Sequence, residues 1–219
     1  MRIYALADIH GKEKHMAAIY AVLDAYTPDL VVAAGDLTRF LSWRTCLAQL
    51  DSLPVPVLAV RGNTDLKRTE PYMERATNLT RLTNHPRDIQ GFSFVGAGGT
   101  LVLPFASRIC LNERACLNAL PSTMDENTIL VVHPPPRGVC DKAGGKVSVG
   151  SRNLARFIHK AGPGLVLCGH VHEQAGKAML GNSLVVNCSM SNTSAGAIID
   201  LKKGCAPQVK PLHPDAVQC

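Results

Sequence analysis

Short runs of apolar residues alternate with segments of helical period along most of this chain. The runs at residues 3–7, 30–34, 57–60, 129–132 and 165–167 contain no charged side chain and predict buried strands. Between the first two runs, apolar residues recur at helical spacing and predict an amphipathic helix: Met16, Ile19, Tyr20, Leu23 and Tyr26. Strands that alternate with helices are typical of an α/β protein.

Capping and turn residues predict the remaining elements. Ser42 and Ser151 each precede a helical pattern as a capping residue, and Gly162 with Pro163 ends the second helix. Further strands are predicted at 89–97, 175–179, 183–186 and 195–201, and a helix within 107–120. The chain shows no internal repeat, so a single domain over residues 1–219 is expected, with a peripheral tail from about residue 202.

Composition agrees with one globular domain. The chain has 219 residues, of which 46% are hydrophobic and 18% charged, a balance that excludes a disordered chain. The net charge of +6 would favour phosphate-bearing substrates. Lysine and arginine do not form a stripe with interleaved aromatic residues, so a nucleic acid is a possible partner but not the favoured one.

The sequence gives weaker predictions for the location of the protein, for the state of its cysteines and for its isolated histidines. Asp8 and His10 interrupt the first apolar run, and no run approaches the ~18 apolar residues of a membrane span, so we expect a cytoplasmic protein that does not bind membranes. The eight cysteines form no C-x-x-C pair and are expected to be reduced and buried. Four histidines are expected to be solvated: His15, His85, His159 and His213.

Residue types that bind metals follow five of the apolar runs. In chain order they are Asp8 and His10, then Asp36, Asn63, His133, and finally His170 and His172. Sites in open α/β sheets form beyond the carboxyl ends of the strands, so these side chains should converge. Each short motif alone is more often a turn or a surface histidine; the ordered combination of five is the informative signal.

The residue types also indicate a chemistry. Two carboxylates, one amide oxygen and four imidazoles suit transition metals such as manganese, iron, zinc or nickel better than calcium or magnesium alone. Seven ligands exceed what one ion takes from protein, and they suit two ions that share a carboxylate. Paired ions can clamp the attacking and leaving oxygens of a phosphoryl transfer.

The motifs Asp8-x-His10, Gly35-Asp36, Gly62-Asn63, His133 and Gly169-His170-x-His172 resemble those of the calcineurin-like metallophosphoesterase superfamily, and in particular its small prokaryotic branch. The resemblance covers roughly residues 1–200. It implies an α/β fold with two packed β-sheets flanked by helices, a four-layer α/β/β/α sandwich. It also implies hydrolysis of phosphate esters by in-line attack of a metal-bound hydroxide.

The resemblance further implies a ligand assignment for two ions, with manganese or iron ahead of zinc or nickel. One ion would take Asp8, His10, Asp36 and His172, and the other would take Asp36, Asn63, His133 and His170. Asp36 would bridge the ions, and Asp36, Asn63 and His133 would act in catalysis. We also expect Arg39 and Ser151 to bind substrate, because each lies in or after a loop beside the motifs.

The sequence departs from the family at one functional pair. Many members read Gly-Asn-His-Asp, and that histidine, oriented by an aspartate, protonates the leaving group. Here Thr64 replaces the histidine and Arg39 replaces the aspartate. Without that acid, phosphodiesterase activity is favoured over phosphomonoesterase activity. A nuclease and a catalytically silent interaction module on the same fold are the alternatives, although a silent module has no need of all seven ligands.

Overall fold

A computed structural model of the chain describes residues 1–103, 106–110 and 112–217. It contains two six-stranded mixed sheets with helices outside them, which confirms the predicted α/β sandwich. The core between the sheets takes apolar side chains from both, among them Ala5, Val32, Phe94 and Val131. The sheets therefore pack face to face.

The first sheet has the order β16-β15-β1-β2-β3-β4. Its strands are β1 (Arg2–Leu6), β2 (Leu30–Ala34), β3 (Val57–Val60), β4 (Leu79–Arg81), β15 (Ala197–Asp200) and β16 (Gln208–Pro211). Strands β1 to β4 are parallel to one another, while β15 pairs antiparallel with β1 and β16 antiparallel with β15. The tail after residue 202 thus contributes the edge strand of this sheet.

The second sheet has the order β13-β14-β12-β9-β6-β5. Its strands are β5 (Arg87–Ile89), β6 (Phe92–Ala97), β9 (Thr128–Val132), β12 (Leu165–Cys168), β13 (Gly176–Leu180) and β14 (Ser183–Asn187). The single strand predicted over 89–97 is wrong, because Gln90 and Gly91 adopt φ of 51° and 79° and turn the chain between β5 and β6. Two short antiparallel pairs lie outside the sheets: β7 (Leu101–Leu103) with β8 (Ala106–Arg108), and β10 (Lys142–Ala143) with β11 (Val147–Ser148).

Helices cover the outer faces of both sheets. They are α1 (Glu13–Tyr26), α2 (Trp43–Asp51), α3 (Thr69–Met73), α4 (Glu113–Asn118) and α5 (Arg152–Ala161), with 3-10 turns at His172–Gln174 and Pro214–Val217. Apolar residues of α1 and α2 pack on the first sheet, and those of α5 pack on the second. The capping predicted for Ser151 is confirmed, since its hydroxyl accepts the N–H of Leu154 at 3.0 Å. Ser42 precedes α2 but makes no side-chain capping bond.

Two of the weaker expectations are wrong. Cys110 and Cys116 form a disulfide that joins the segment after β8 to α4, so not all cysteines are reduced. Cys46, Cys168 and Cys188 are buried as expected, whereas Cys205 is exposed and Cys219 lies outside the described residues. His15 is buried, with 3% of its surface exposed, rather than solvated.

Within the described ranges, no helix is both long and apolar enough to cross a membrane.

Candidate metal centre

The loops after β1 and β2 form the base of the centre. Asp8, His10 and Asp36 all adopt the left-handed backbone conformation, with φ of 60°, 50° and 53°. Residues other than glycine rarely adopt it, and where they do the strain is often functional. Backbone hydrogen bonds join the loops: the N–H of Asp8 donates to Gly35 O at 3.0 Å and that of His10 to Asp36 O at 2.9 Å. The strain is thus held in place by pairing between the two ligand-bearing loops.

Two glycines allow these loops to approach closely. A Cβ on Gly35 would meet Nδ1 of His133 at 2.7 Å, and one on Gly62 would overlap the carboxylate of Asp36. Gly35 also has a φ of 93°, which favours glycine. The Gly-Asp and Gly-Asn pairs seen in the sequence therefore have a steric purpose.

All seven predicted ligands meet at one place, in two adjoining groups. In the first group, Nε2 of His172 is 3.1 Å from Oδ1 of Asp8, and Nε2 of His10 is 3.9 Å from that oxygen. His10 Nε2 is also 3.9 Å from Oδ2 of Asp36, which connects the first group to the second.

In the second group, Nε2 of His133 is 3.5 Å from Oδ1 of Asp36. Oδ1 of Asn63 lies 3.0 Å from Nε2 of His133 and 3.0 Å from Nδ1 of His170. Asp36 therefore contacts both groups. Asp8 does so as well, since its Oδ1 is 4.0 Å from Nε2 of His133, and the bridging role of Asp36 stays a prediction.

The donor atoms fit metal ions. Oδ1 of Asp8 is buried and has no hydrogen-bond partner, an expensive state unless a cation lies beside it. His133 donates from Nδ1 to Ala34 O at 2.8 Å, because a carbonyl can only accept. In the neutral ring, Nε2 then presents a lone pair toward Asp36 and Asn63. The other nitrogen of His170, Nε2, is 2.9 Å from Oγ of Ser107, an arrangement that orients a ligand ring.

Charge in the centre is concentrated and buried. Burial would raise the pKa of Asp36, but His133 outweighs it and holds that pKa well below its ordinary value. Burial opposes the charge on His133, but Asp36 and Asp8 outweigh it and raise the pKa of His133 to about 9. Burial and the neighbouring His133 lower the pKa of His170 to about 4. The two carboxylates thus require a cation beside them, a role that a metal ion fills.

The family model for calcineurin-like phosphoesterases matches residues 1–174. The chain belongs to this family. Family members use a binuclear metal site, and in this member two candidate ligand triads overlap at Asp8: Asp8 with His10 and His172, and Asp8 with Asp36 and His133.

A related sequence and solved structures with a similar fold are known. An uncharacterized protein of Methanocaldococcus jannaschii is 29% identical over 86% of this chain and 88% of its own length. Two solved structures show the same fold. A Thermus thermophilus protein has a TM-score of 0.67 at 17% identity, covering 97% of this chain and 98% of its own. A dimetal phosphatase from Danio rerio has a TM-score of 0.63 at 12% identity, covering 98% and 96%.

Asp65 is a functional residue that the sequence analysis did not identify. Its buried carboxylate accepts the N–H groups of Leu37 at 3.0 Å, Thr38 at 2.9 Å and Gly62 at 2.9 Å, and the hydroxyl of Thr38 at 2.8 Å. It therefore ties the loop that carries Asp36 to the loop that carries Asn63. Burial raises the pKa of this carboxyl. An aspartate two residues after Gly-Asn is a turn signal, but its partners across the loops are not visible in the sequence.

Thr64 and Arg39 lie at the exposed side of the centre. The N–H of Thr64 donates to Oδ1 of Asp36 at 2.8 Å, and its hydroxyl is 3.5 Å from Nδ1 of His10. Thr64 thus occupies the mouth of the site. The exposed Arg39 runs alongside the loop of His10, since a Cβ on Gly11 would meet its Cγ at 3.4 Å. Substrate binding by Arg39 stays a prediction.

Ser151 is placed differently. Its hydroxyl is buried, accepts the N–H of Leu154 and donates to Oε1 of Glu113 at 2.7 Å. Both hydrogen-bonding functions are thus committed to protein partners. These bonds give Ser151 a capping role, and substrate binding by this residue stays a prediction.

Proposed function

We propose that this protein hydrolyses phosphodiesters with two transition-metal ions, manganese or iron ahead of zinc or nickel. The observation that carries the proposal is the convergence of seven ligand-type side chains around the carboxylates of Asp8 and Asp36. When bound, two such ions polarise phosphate oxygens and activate the attacking water. Asp8, His10, Asp36 and His172 would hold one ion, and Asp36, Asn63, His133 and His170 the other.

The protein's own groups orient these ligands. The Ala34 carbonyl fixes the ring of His133, Ser107 fixes that of His170, and the N–H of Thr64 holds Oδ1 of Asp36. A ligand that is held in this way needs little rearrangement when charge develops in the reaction. Asp36, Asn63 and His133 face the same space and are the residues that we place nearest the substrate phosphate.

The residues at the mouth of the site would determine which esters are good substrates. Thr64 lies where the substrate must enter, and an alcohol is too weak an acid to protonate a leaving alkoxide near neutral pH. Esters with good leaving groups avoid that requirement. We therefore expect aryl phosphodiesters to be better substrates than alkyl phosphomonoesters.

Hydrolysis by the metal-replete protein tests the proposal. We expect kcat/KM for bis(4-nitrophenyl) phosphate to exceed that for glycerol phosphate by more than about 100-fold, the lower range of a missing general acid. Asp36→Ala should abolish both activities, and Asp24→Ala, a change of an exposed carboxylate, should leave them unchanged. Efficient cleavage of glycerol phosphate with a pH profile that shows an essential acid would overturn the preference for diesters.

A further inference from the structure

A basic groove lies between α2 and α3. We define it by Trp43, Arg44, Arg68, Tyr72 and Arg75, and it encloses a cavity of about 540 Å³. The arginines come from two separate segments of the chain, which is why no basic stripe is visible in the sequence. Folding places them on one surface.

The three arginines of the groove are exposed, and none forms a salt bridge within the described part of the chain. The nearby acids have other partners. Glu70 pairs with Arg61 at 2.9 Å and Glu74 pairs with Arg81. Asp51 also lines the groove, and its carboxylate accepts the N–H groups of Asn78 at 2.7 Å and Leu79 at 2.9 Å. Three guanidinium groups against one carboxylate leave the groove with net positive charge, which attracts a polyanion.

Aromatic rings order these guanidinium groups. Those of Arg44 and Arg68 lie over the ring of Trp43 at 4.6 and 5.2 Å, and Tyr72 packs edge-on against the same ring at 5.9 Å. Trp43 itself is only 6% exposed, so a ligand would meet the arginines rather than the indole. An ordered guanidinium plane can stack with a nucleobase while its N–H groups bind phosphate.

The elements that carry the groove are connected to the loops of the candidate metal centre. Helix α2 follows the loop of Asp36, and Arg68 follows the loop of Asn63 and Thr64. Cys46 of α2 packs against Gly11, the residue after His10. Phe40, which is 63% exposed, lies on the connection between the loop of Asp36 and α2 and offers a free aromatic face. The groove and the centre are thus built on the same two connections of the chain.

We propose that the basic groove binds single-stranded nucleic acid through its backbone phosphates. A flexible single strand can follow a concave surface, and its bases are free to stack on ordered side chains. That the strand delivers a phosphodiester to the metal centre rests on the proposed function, whereas binding in the groove does not.

Fluorescence anisotropy of a labelled oligonucleotide tests the binding. A strand of about 12 nucleotides falls within the site sizes of roughly 4 to 16 nucleotides that single-strand-binding folds cover. We expect log K to fall linearly with log salt concentration, by about 0.7 for each phosphate contact. The triple variant Arg44→Gln, Arg68→Gln, Arg75→Gln should therefore reduce the magnitude of the slope by about 2 and weaken binding at low salt.

A matched variant controls for net charge. Arg114, Arg156 and Lys160 are three exposed cations around a smaller cavity at α4 and α5, and changing all three to Gln removes the same charge. This variant should keep the slope of the unmodified protein. If the oligonucleotide is cut during the titration, kcat/KM for its cleavage replaces K in the same comparison.

Three results would overturn the inference. They are no binding of the oligonucleotide, equal losses in the two triple variants, and binding to phosphatidylserine vesicles with the same arginine dependence. Hydrolysis of bis(4-nitrophenyl) phosphate is measured for every variant and should not change. If the unmodified protein hydrolyses bis(4-nitrophenyl) phosphate but does not bind the oligonucleotide, only the inference about the groove is wrong. If it binds the oligonucleotide but does not hydrolyse bis(4-nitrophenyl) phosphate, only the proposed function is wrong.

Discussion

At the scale of single residues, the proposed function depends on Thr64 and Arg39, which stand where many family members have a histidine and an aspartate. Thr64 lies 3.5 Å from His10 at the mouth, and Arg39 runs alongside the same loop. We expect an imidazolium at position 64 to be disfavoured by the positive charge of Arg39, because both residues border the loop of His10. The absent acid and its absent partner are thus a matched pair of changes.

Thr64→His alone should raise glycerol phosphate hydrolysis little, because Arg39 disfavours the protonated ring. The double change Thr64→His with Arg39→Asp should raise kcat/KM at least tenfold, toward the range of about 10²–10⁴ for a positioned acid. Arg39→Asp alone is the control and should give no gain. A pH–rate profile measures the result, and an equal gain in the single Thr64→His variant would contradict this account.

The buried side chain of His15 hydrogen-bonds to the backbone of the loop that carries Asp8 and His10. Its Nδ1–H donates to the carbonyl of Ile9, between Asp8 and His10, at 3.0 Å. Burial lowers its pKa to about 4. The unfolded chain, with an ordinary pKa near 6.5, binds a proton more readily than the fold does. Stability from this residue is therefore complete above about pH 6.5 and is lost as the pH falls toward 4.

The prediction for His15 compares urea unfolding at pH 7 and pH 4. The unmodified protein should lose about 2 to 3 kcal/mol more over this interval than His15→Asn, whose amide can still donate to Ile9 but does not titrate. An exposed histidine gives the control, and His159→Asn should lose as much as the unmodified protein. Equal pH dependence in all three proteins would contradict this prediction, because it would show that protonation of His15 does not destabilise the folded state.

Asp65 connects elements rather than residues, because it joins the loops after β2 and β3. In Asp65→Asn an amide replaces the carboxylate. Its NH2 group then faces backbone N–H groups that have lost an acceptor. We expect the free energy of unfolding to fall by about 2 to 4 kcal/mol, since hydrogen bonds to a charged group contribute about 1.5 to 3 kcal/mol each and buried donors are costly when unpaired. Urea unfolding measures it, with the exposed Asp88→Asn as the control. A decrease in the free energy of unfolding below about 1 kcal/mol, on the order of one ordinary hydrogen bond, would contradict the idea that Asp65 links the two loops.

Some elements of this fold can be predicted from the sequence, whereas features that depend on distant residues cannot. Fully buried strands appear as unbroken apolar runs, so β1, β2, β3 and β9 are found, and the ligands at their ends with them. The turn at Gln90 and Gly91 interrupts an alternating pattern without a break in hydrophobicity. Asp65, Ser107 and the basic groove depend on partners far along the chain, which no local pattern records.

The two sheets share the centre at the scale of the whole molecule. Asp8, His10, Asp36 and Asn63 follow strands of the first sheet, while His133, His170 and His172 follow strands of the second. Ions bound by both sets would link the sheets and stabilise the folded state. Stability should then depend on metal concentration.

Removal of metal should lower the melting temperature. Each ion at about 100 times its Kd stabilises by about 2.7 kcal/mol, so two ions stabilise by about 5.4 kcal/mol. A chain of 150–250 residues shifts by about 2–4 °C for each kcal/mol, so we expect about 10–20 °C. Calorimetry with EDTA, followed by addition of manganese, measures the loss and its recovery. Asp36→Ala should show neither, and elemental analysis of the unmodified protein should find two ions per chain.

The position of β1 between β2 and β15 has a consequence for synthesis of the protein. The chain builds most of the first sheet, then the whole second sheet, and returns to the first only with β15 and β16. Ala7 beside Asp8 is held by Cys188 and Met190, which follow all seven ligands in the chain. A growing chain therefore passes through a stage in which all seven predicted ligands have been synthesised, but the strand that precedes Asp8 still lacks its pairing with β15 and the bonds of Ala7 to Cys188 and Met190. Metal supplied during translation would meet a completed set of ligands before it meets a completed site.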